Sequence, residues 1–574
     1  MNKNEVAEIL KQISVLLNLK GENPFKIRAY ENAAHIIQTL PDELDKYIHE
    51  NTLIEIKGIG EALATKITEL VRTGRLEYLE KLKASIPAGL VDMTRIPNLG
   101  PKRIKIIYER LGIESIPKLE EACREGKIAG LEGFGEKSQE KILEGIEALK
   151  KYSEKHLFYI AEDEANRILY ALKANKEIIH ISCAGSLRRK KEIIGDLDFV
   201  ASTSNSESIM NDFVSLPGIR NVIAKGDTKS TIVLESGINA DLRTVTDKEF
   251  PYALHHLTGS KEHNIAMRAR AIKMGMKMNE YGLFKGDKLI KVKDEEGLFS
   301  RLGLAYIEPE LREDTGEIEA AEKGSLPKLI EEKDIRGIFH FHTTYSDGRN
   351  SLKEMADAAR SMGMEYIGIS EHSQSVAYAG GLKPDVVRRQ QKEIDVLNEK
   401  LAPFRILKGI EVDIHPDGTL DYDDNLLQTF DFVIAAIHAK FTMTENEMTE
   451  RIIKALQNKF VTMLAHPTGR LLLEREPYPV NMKAVIDAAK EYDKAIELNA
   501  NPHRLDLDWR LCKYAKEKGV KVSINPDAHD TLALKEIRYG IGIARKGWLE
   551  KKDVLNTLKL NEIMKYLNIG LKNQ

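Results

Sequence analysis

Cysteine is scarce in this chain: Cys123, Cys183 and Cys512 are the three among 574 residues, and no two are spaced as Cys-x-x-Cys. With no disulfide framework to read, a reducing cytoplasm is the expected setting. Long apolar runs are missing as well. None approaches the roughly 18 residues of a membrane span, and the opening Met1-Asn2-Lys3-Asn4-Glu5 leads into an amphipathic segment rather than an apolar signal. No membrane contact is expected. Nor does one sign of charge dominate. The net charge is -3, which excludes a global polycation and leaves any nucleic-acid binding to local charge and geometry. What the chain does have is an ordinary globular composition, 42% hydrophobic and 30% charged, over a length too great for one core. Several domains are expected.

The texture changes along the chain. Up to about residue 150, apolar residues recur with helical spacing (Ile9, Ile13, Leu16, Leu17; Leu63, Ile67, Leu70) between short Gly-containing turns, predicting an all-α region. After Ala174 short β-branched runs take over, Ile178-Ile179-His180-Ile181, Phe199-Val200-Ala201 and Thr231-Ile232-Val233-Leu234, and a mixed α/β unit begins. Between Arg312 and Arg336 the sequence turns acidic and weakly apolar, the texture of a linker. From Ile335 onward, strand-like pieces (Ile338-Phe339, Tyr366-Ile367-Gly368-Ile369, Phe432-Val433-Ile434-Ala435, Val520-Lys521-Val522-Ser523) alternate with amphipathic helices such as 351–361, the rhythm of parallel βα units.

The helical front carries a repeat, Ile56-Lys57-Gly58-Ile59-Gly60, Ile96-Pro97-Asn98-Leu99-Gly100 and Leu131-Glu132-Gly133-Phe134-Gly135, each followed by a helix-forming segment. These resemble helix-hairpin-helix motifs. Paired glycines let the backbone turn tightly at a helix N-terminus, so that bare N-H groups and the helix dipole can face a DNA phosphate without reading base sequence. Gly58, Gly60, Gly100, Gly133 and Gly135 are the candidate DNA-binding positions, with Lys57, Lys102, Arg103, Lys105 and Lys137 nearby. Further on, Asp196 and Asp198 lie two apart on a predicted strand, so both face one side and can clamp metal. Two-metal phosphoryl transfer needs a third carboxylate from a neighbouring strand, and Asp241 is the candidate. A Gly185-Ser186 turn able to clasp a triphosphate precedes them, with Arg189 beside it, and the set points to a nucleotidyltransferase.

On these residues, positions 1 to about 312 resemble a family X DNA polymerase, the group that includes DNA polymerase beta. The resemblance implies an 8-kDa-like helical domain over 1–85, a helical DNA-binding subdomain over 86–150, an α/β nucleotidyltransferase palm over 151–250, an α+β thumb over 251–315 and a linker over 316–333. It implies that Gly185, Ser186 and Arg189 bind the nucleotide, that Asp196 and Asp198 hold two Mg2+ or Mn2+ ions, and that Asp241, the third member of the catalytic and metal-binding triad, activates the primer 3'-hydroxyl. Thr258-Gly259-Ser260-Lys261-Glu262-His263-Asn264 through Arg268 resembles the segment around the nucleotide sugar and nascent base pair. Gly259, Ser260 and Asn264 would face the nucleotide, and Arg268 the template strand, with Glu280-Tyr281 packed against it. Lys26 and Tyr30 match a 5'-phosphate pocket, and Lys66 the position that forms a Schiff base with an abasic sugar; Na+ or K+ at the helix-hairpin-helix turns is also implied. Three departures stand out. Ala62 and Ile54 replace phosphate-binding lysines, His256-Leu257 replaces an aromatic pair lining the sugar pocket, and Asn239 stands where the animal enzyme has an arginine. They bear on lyase activity, sugar discrimination and the charge balance at Asp241.

The second half is rich in potential ligands: His340, His342, Asp347, His372, Glu411, His438, His466, Asp527 and His529, most of them directly after strand-like runs. In a βα barrel the strand ends converge on one face, so these side chains could gather around one cavity. Mixed histidine and carboxylate ligands suit zinc, manganese or iron, and a bridging Glu411 would hold two metals for phosphoester hydrolysis. Residues 334–574 resemble a PHP domain, named for polymerases and histidinol phosphatases, a distorted βα barrel. That resemblance implies three ions, Mn2+ or Zn2+: His340, His342, Glu411 and Asp527 on one, Glu411, His438 and His466 on a second, and Asp347, His372 and His529 on the third. Arg470 and Arg504, near this face, are read either as phosphate-holding residues or as surface decoration.

Joined, the halves imply a monomeric, multidomain DNA-repair enzyme. It would fill gaps by template-directed addition of deoxynucleoside triphosphates on gapped or nicked DNA, trim 3' ends by metal-dependent exonuclease action, and cleave at abasic sites. The alternative is a PHP phosphatase of small phosphoesters carrying an inactive nucleotidyltransferase-like half, against which the intact Asp196, Asp198 and Asp241 weigh.

Overall fold

Val6, Leu10, Ile13 and Leu17, spaced by three and four residues, are all fully buried along the helix Lys3–Lys20. Its partner, Pro24–Thr39, starts with proline at the first helical position, where no N-H is missed, and the Asn23 side chain accepts from the Phe25 N-H at 2.9 Å. These elements belong to a computed structural model that describes residue 1 and residues 3–40, 43–96, 99–152 and 154–569. The chain divides into two compact units, Met1–Ser153 and Glu154–Gln574. Every described element of the first is helical. At each glycine motif a helix begins: Gly60 precedes Glu61–Thr73, Gly100 precedes Pro101–Leu111, and Gly135 precedes Glu136–Tyr152. Gly58 and Gly133 take φ of 100° and 81°, conformations that a side chain would strain. Pro97 and Asn98 of the second motif lie outside the described residues.

The second unit opens with a five-stranded sheet in the order Ile178–Cys183, Asp196–Thr203, Asn239–Val245, Lys229–Leu234, Ile219–Lys225. Alternation on Asp196–Thr203 sends Leu197, Phe199 and Ala201 into a core shared with Ile168 of Phe158–Leu172 and Phe213 of Ser206–Val214. Next come the helices Phe250–Thr258, Lys261–Lys273 and Glu295–Arg301 with an antiparallel sheet of Lys277–Asn279, Gly282–Lys285 and Lys288–Leu289, packed around Tyr252, Met267, Leu283 and Phe299.

Residues 316–333, expected as a linker, are instead folded. Glu317–Glu322 is helical, and Ile318, Ala321 and Leu329 join the thumb core while Leu329 bridges to Glu550. The acidic texture misleads because Glu317, fully buried, takes the Asp314 and Thr315 N-H groups and sits 2.7 Å from His263 Nδ1.

Parallel strands form the rest. Gly337–Ile338, Tyr366–Gly368 and Arg405–Leu407 make one sheet; Gly409–Asp413, Phe432–Ala436, Met463–Leu464, Ala495–Asn499 and Val522–Asn525 make the other. Only Lys408 separates Arg405–Leu407 from Gly409–Asp413, so one interrupted strand joins the sheets. A Phe341–Ala528 bridge, three residues past the ends of Gly337–Ile338 and Val522–Asn525, closes the first strand onto the last. The result is a distorted βα barrel with its carboxyl ends on one face. No helix among the described residues is long and apolar enough to cross a membrane.

Candidate functional site

Two clusters of acidic and histidine side chains arise at strand ends of the second unit. The first follows from register: Asp196–Thr203 and Asn239–Val245 pair in parallel with Asp198 directly opposite Asp241, and Asp196 is two residues earlier on the same face. Burial, with the Asp196 and Asp241 carboxylates next to it, pushes the Asp198 carboxyl up to about 6. Crowded carboxylates of this kind are relieved by divalent cations. Asp241 is held from both sides, by the Thr231 hydroxyl at 2.6 Å and by Lys229 Nζ at 2.7 Å. Lys229 thus supplies a cation next to the third carboxylate where Asn239 supplies none. The turn before the strand explains its glycine: Gly185 takes φ of 60°, and a Cβ there would overlap the Asp198 carboxylate. Arg189, close behind, bonds the Thr258 carbonyl at 2.7 Å, bringing the Gly185–Ser186 turn up to the Thr258–Ser260 segment. Ser260 caps the helix Lys261–Lys273 by accepting from His263 N-H, Asn264 donates to the His256 carbonyl at 2.7 Å, and Arg268 donates to the Asn264 carbonyl.

The second cluster gathers all nine expected ligands. Glu411 is its hub: Oε1 lies 2.9 Å from His466, 3.3 Å from His438 and 3.4 Å from His340, and Oε2 lies 2.8 Å from His372 and 3.8 Å from His342. Ligand atoms fall within 4.8 Å of one another in four groups, His342-Asp347-His372-His529, His340-His466-Asp527, His340-His342-Glu411 and His372-Glu411-His438. His342 stays with His340 and Glu411 as expected but also joins the Asp347 group, while His466 groups with His340 and Asp527 and His372 takes its place beside Glu411 and His438. Three of the nine, His340, His466 and Asp527, take positive φ (55°, 21° and 53°), strain that the surrounding packing must hold. A test of fit to metal comes from unsatisfied atoms. His340 Nε2, both His342 nitrogens, His372 Nδ1 and Glu411 Oε2 are buried without a hydrogen bond, a costly arrangement that cations would satisfy. Burial, with the His372 and His529 rings each stacked against it at 4.3 Å, pushes His342 down to about 3 and keeps its lone pair free.

The chain matches the DNA polymerase beta thumb over residues 253–313, the PHP domain over 339–501, a helix-hairpin-helix domain over 1–76 and a SAM-like helix-hairpin-helix tandem over 90–148. It is 40% identical over 572 residues, 99% of each chain, to the DNA polymerase/3'-5' exonuclease PolX of Bacillus subtilis (strain 168). The chain belongs to the PolX family. Probable phosphatases align with the PHP part alone, among them one from Thermoanaerobacter sp. (strain X514), 29% identical over 245 residues, 40% of this chain and 92% of that protein, and one from Acetivibrio thermocellus, 31% identical over 199 residues, 33% of this chain and 78% of that protein.

In this PolX chain several important residues escaped sequence reasoning. Glu497 lies 2.6 Å from His340 Nδ1, accepts the His466 N-H at 2.6 Å and takes the Asn499 and Asn525 amides, while Asp413 lies 3.1 Å from His438 Nδ1. Both carboxylates fix the ring that offers Nε2 to the cluster. A signal existed: Asp413 is two residues after Glu411 on one strand, and Glu497 interrupts an apolar strand. Burial raises Glu371 to about 7; it bonds Thr343, Ser346 and Gln390 and so ties down the loop that carries Asp347. Arg470 corrects an expectation. Its guanidinium is committed to the Arg504 and Leu505 carbonyls, Asp508 and Glu192, so it braces the fold instead of facing phosphate, whereas Arg504 Nε stays 3.7 Å from Asp527. In the first unit Lys26, Tyr30 and Lys66 do come together, around Tyr78: Tyr30 stacks on it at 6.2 Å, and Lys66 and Lys26 lie 5.1 and 5.7 Å from its ring. Tyr78 was invisible to spacing arguments because it comes from a different helix, Glu77–Ala84.

Proposed function

We propose that this chain fills short gaps in DNA and trims 3' ends, with the two activities housed in the two clusters of the second unit. The observation that carries the reading is the in-register Asp198–Asp241 pair with Asp196 beside it, in a chain alignable end to end with a PolX polymerase/exonuclease. Asp196 and Asp198 would hold Mg2+ or Mn2+, and Asp241 would receive the proton of the primer 3'-hydroxyl as its oxygen bonds the α-phosphate and the α–β phosphoanhydride bond breaks to release pyrophosphate. Gly185, Ser186 and Arg189 would bind the triphosphate, Gly259, Ser260 and Asn264 the sugar and base, and Arg268 the template. In the barrel the nine ligands would hold up to three ions, Mn2+ or Zn2+. Bound there, such ions supply the Lewis-acid charge for phosphoester hydrolysis. The chain's own part is to fix the imidazoles through Glu497 and Asp413 and to leave Arg504 near the cluster for a phosphate oxygen. The glycine turns of the first unit suit backbone-led phosphate binding at Gly58, Gly60, Gly100, Gly133 and Gly135, with little base preference. Lys66 is the candidate lyase nucleophile, supported by its place with Lys26 and Tyr30 around Tyr78.

The test is a labelled primer in a short gap with a downstream 5'-phosphate, scored for templated extension and 3' shortening with Mg2+ or Mn2+. Asp196→Ala should lose extension alone, and His342→Ala shortening alone. Hydrolysis of a chromogenic phosphomonoester by a parent that neither extends nor trims would favour the phosphatase alternative.

A further inference from the structure

Arg189 is not free in the nucleotide pocket. Its Nε donates to Glu313 Oε1 at 3.0 Å and its Nη1 to the Thr258 carbonyl. Glu313 ends the thumb, and the same oxygen takes a second cation from the barrel: Lys546 Nζ, in the last residue of the helix Ile537–Lys546, 2.5 Å away. Lys546 is fully buried, donates further to the carbonyls of Arg189 and Glu310 at 3.1 and 3.4 Å, and lies 4.6 Å from the Trp509 ring. Its neighbour Arg545 pairs with Glu310 at 2.7 Å. The end of the thumb is thus gripped from the palm by Arg189 and from the barrel by Arg545 and Lys546.

The charges set the consequence. Paired with Glu313 alone, Arg189 would form a neutral, charge-assisted pair and would have to be pulled from it by an anionic ligand. Lys191 Nζ lies farther off, 3.8 Å from the other Glu313 oxygen; with Oε1 shared between the two nearer cations, the Arg189–Glu313–Lys546 group carries one net positive charge. Burial raises the Glu313 carboxyl, but Lys546 and Arg189 outweigh it and hold the pKa below its usual value; burial pushes Lys546 down to about 8 against the pull of Glu313. A buried ionic group is weak evidence of stabilisation, since well-packed apolar residues often serve as well. Its worth here lies in position. We propose that Lys546, from the PHP barrel, is a positioning residue for the polymerase's nucleotide pocket: by sharing Glu313 it keeps the Arg189 guanidinium available to the triphosphate. This rests on the reading of Arg189 as a triphosphate ligand.

The experiment uses the full chain on gapped DNA with a dideoxy-terminated primer, titrating the matching deoxynucleoside triphosphate in Mg2+ and reading its Kd without chemistry. Arg189→Ala should weaken binding by about tenfold or more, and Lys546→Met by roughly tenfold, the loss of one charge-assisted contact. Glu313→Gln in the Lys546→Met background removes the competing carboxylate and should restore Kd to within about threefold of the parent. Trimming of an ordinary 3' end should be unchanged in the double variant. A parental Kd in Lys546→Met, or a double variant as weak as the single one, overturns the proposal, because a merely packing role predicts no rescue. An unchanged Kd in Arg189→Ala instead sinks the reading of Arg189 itself. Should Lys546→Met fail to fold, Glu313→Gln with and without it gives the same decision: the two must bind alike, and a further loss overturns the proposal.

Discussion

The two clusters of the second unit are built on opposite plans. In the barrel, His340, His342 and Glu411 are fully buried, Glu497 orients the His340 ring and Asp413 the His438 ring, and several ligand atoms have no hydrogen bond at all. In the palm, Asp196 is exposed, Asp241 keeps solvent access, and its oxygens already have partners in Thr231 and Lys229. The difference teaches what each site asks of its ions. The barrel is incomplete without metal and should retain it tightly, whereas the palm tolerates an ion-free state and should gain ions together with substrate. Brief chelation followed by Mg2+ should therefore restore extension at once, while trimming should persist or recover slowly, as measured on one labelled gapped substrate.

The strongest way to break this contrast is at the barrel's hub. Glu411→Gln keeps the shape of the residue that five histidines surround but removes its charge. Trimming should fall by at least roughly a thousandfold, a loss of about 4 kcal/mol of transition-state stabilisation, with metal content by elemental analysis reduced and extension retained. Next comes the supporting carboxylate. Glu497→Gln leaves every direct ligand in place yet loosens His340 and the His466 backbone. Metal affinity should drop by about 10- to 100-fold, the usual cost of losing such a partner. Parental affinity would mean the positive-φ backbone alone holds the ligands.

Much of this arrangement was legible in the sequence, and what was not has a common cause. Period-two spacing gave the shared face of Asp196 and Asp198, and the strand-end rule pointed to most of the nine barrel residues, because both follow from local geometry. The Asp198–Asp241 register, the Tyr78 platform, the Glu497 support and the Lys546–Glu313 contact join residues far apart in sequence, and no local pattern encodes them. The linker expectation failed for the same reason. Glu317 reads as a solvated acid until His263, 54 residues earlier, is found beside it. Arg470 reads as a phosphate ligand or as surface decoration until Glu192, 278 residues away, is found on its guanidinium.

The palm's openness can be sharpened with pH. Asp198 titrates at about 6 in the folded chain, so below that value a proton competes with the ion for the site. The Mg2+ concentration giving half-maximal extension should rise by about tenfold for each pH unit below 6, and a profile flat to pH 5 would show that the Asp198 carboxylate is not the titrating ligand.

The smallest effect is the most diagnostic, because it separates stability from function. The folded-state pKa of Asp198 is raised from 3.8 to about 6, so its contribution to stability is fully favourable below pH 3.8, declines as pH rises through 6, and is a net cost at pH 7.5. The shift alone would correspond to about 3 kcal/mol, which solvent screening at this half-buried site reduces to about 1–2 kcal/mol. Asp198→Asn removes that cost. In chelator at pH 7.5 its melting midpoint should exceed the parent's by a few degrees, roughly 2–4 °C, although extension is lost. Added Mg2+ should stabilise the parent and narrow the gap. A lower midpoint for the variant in chelator would mean that the carboxylate is compensated by the Gly185 turn beside it, and the palm would then be as preorganised as the barrel.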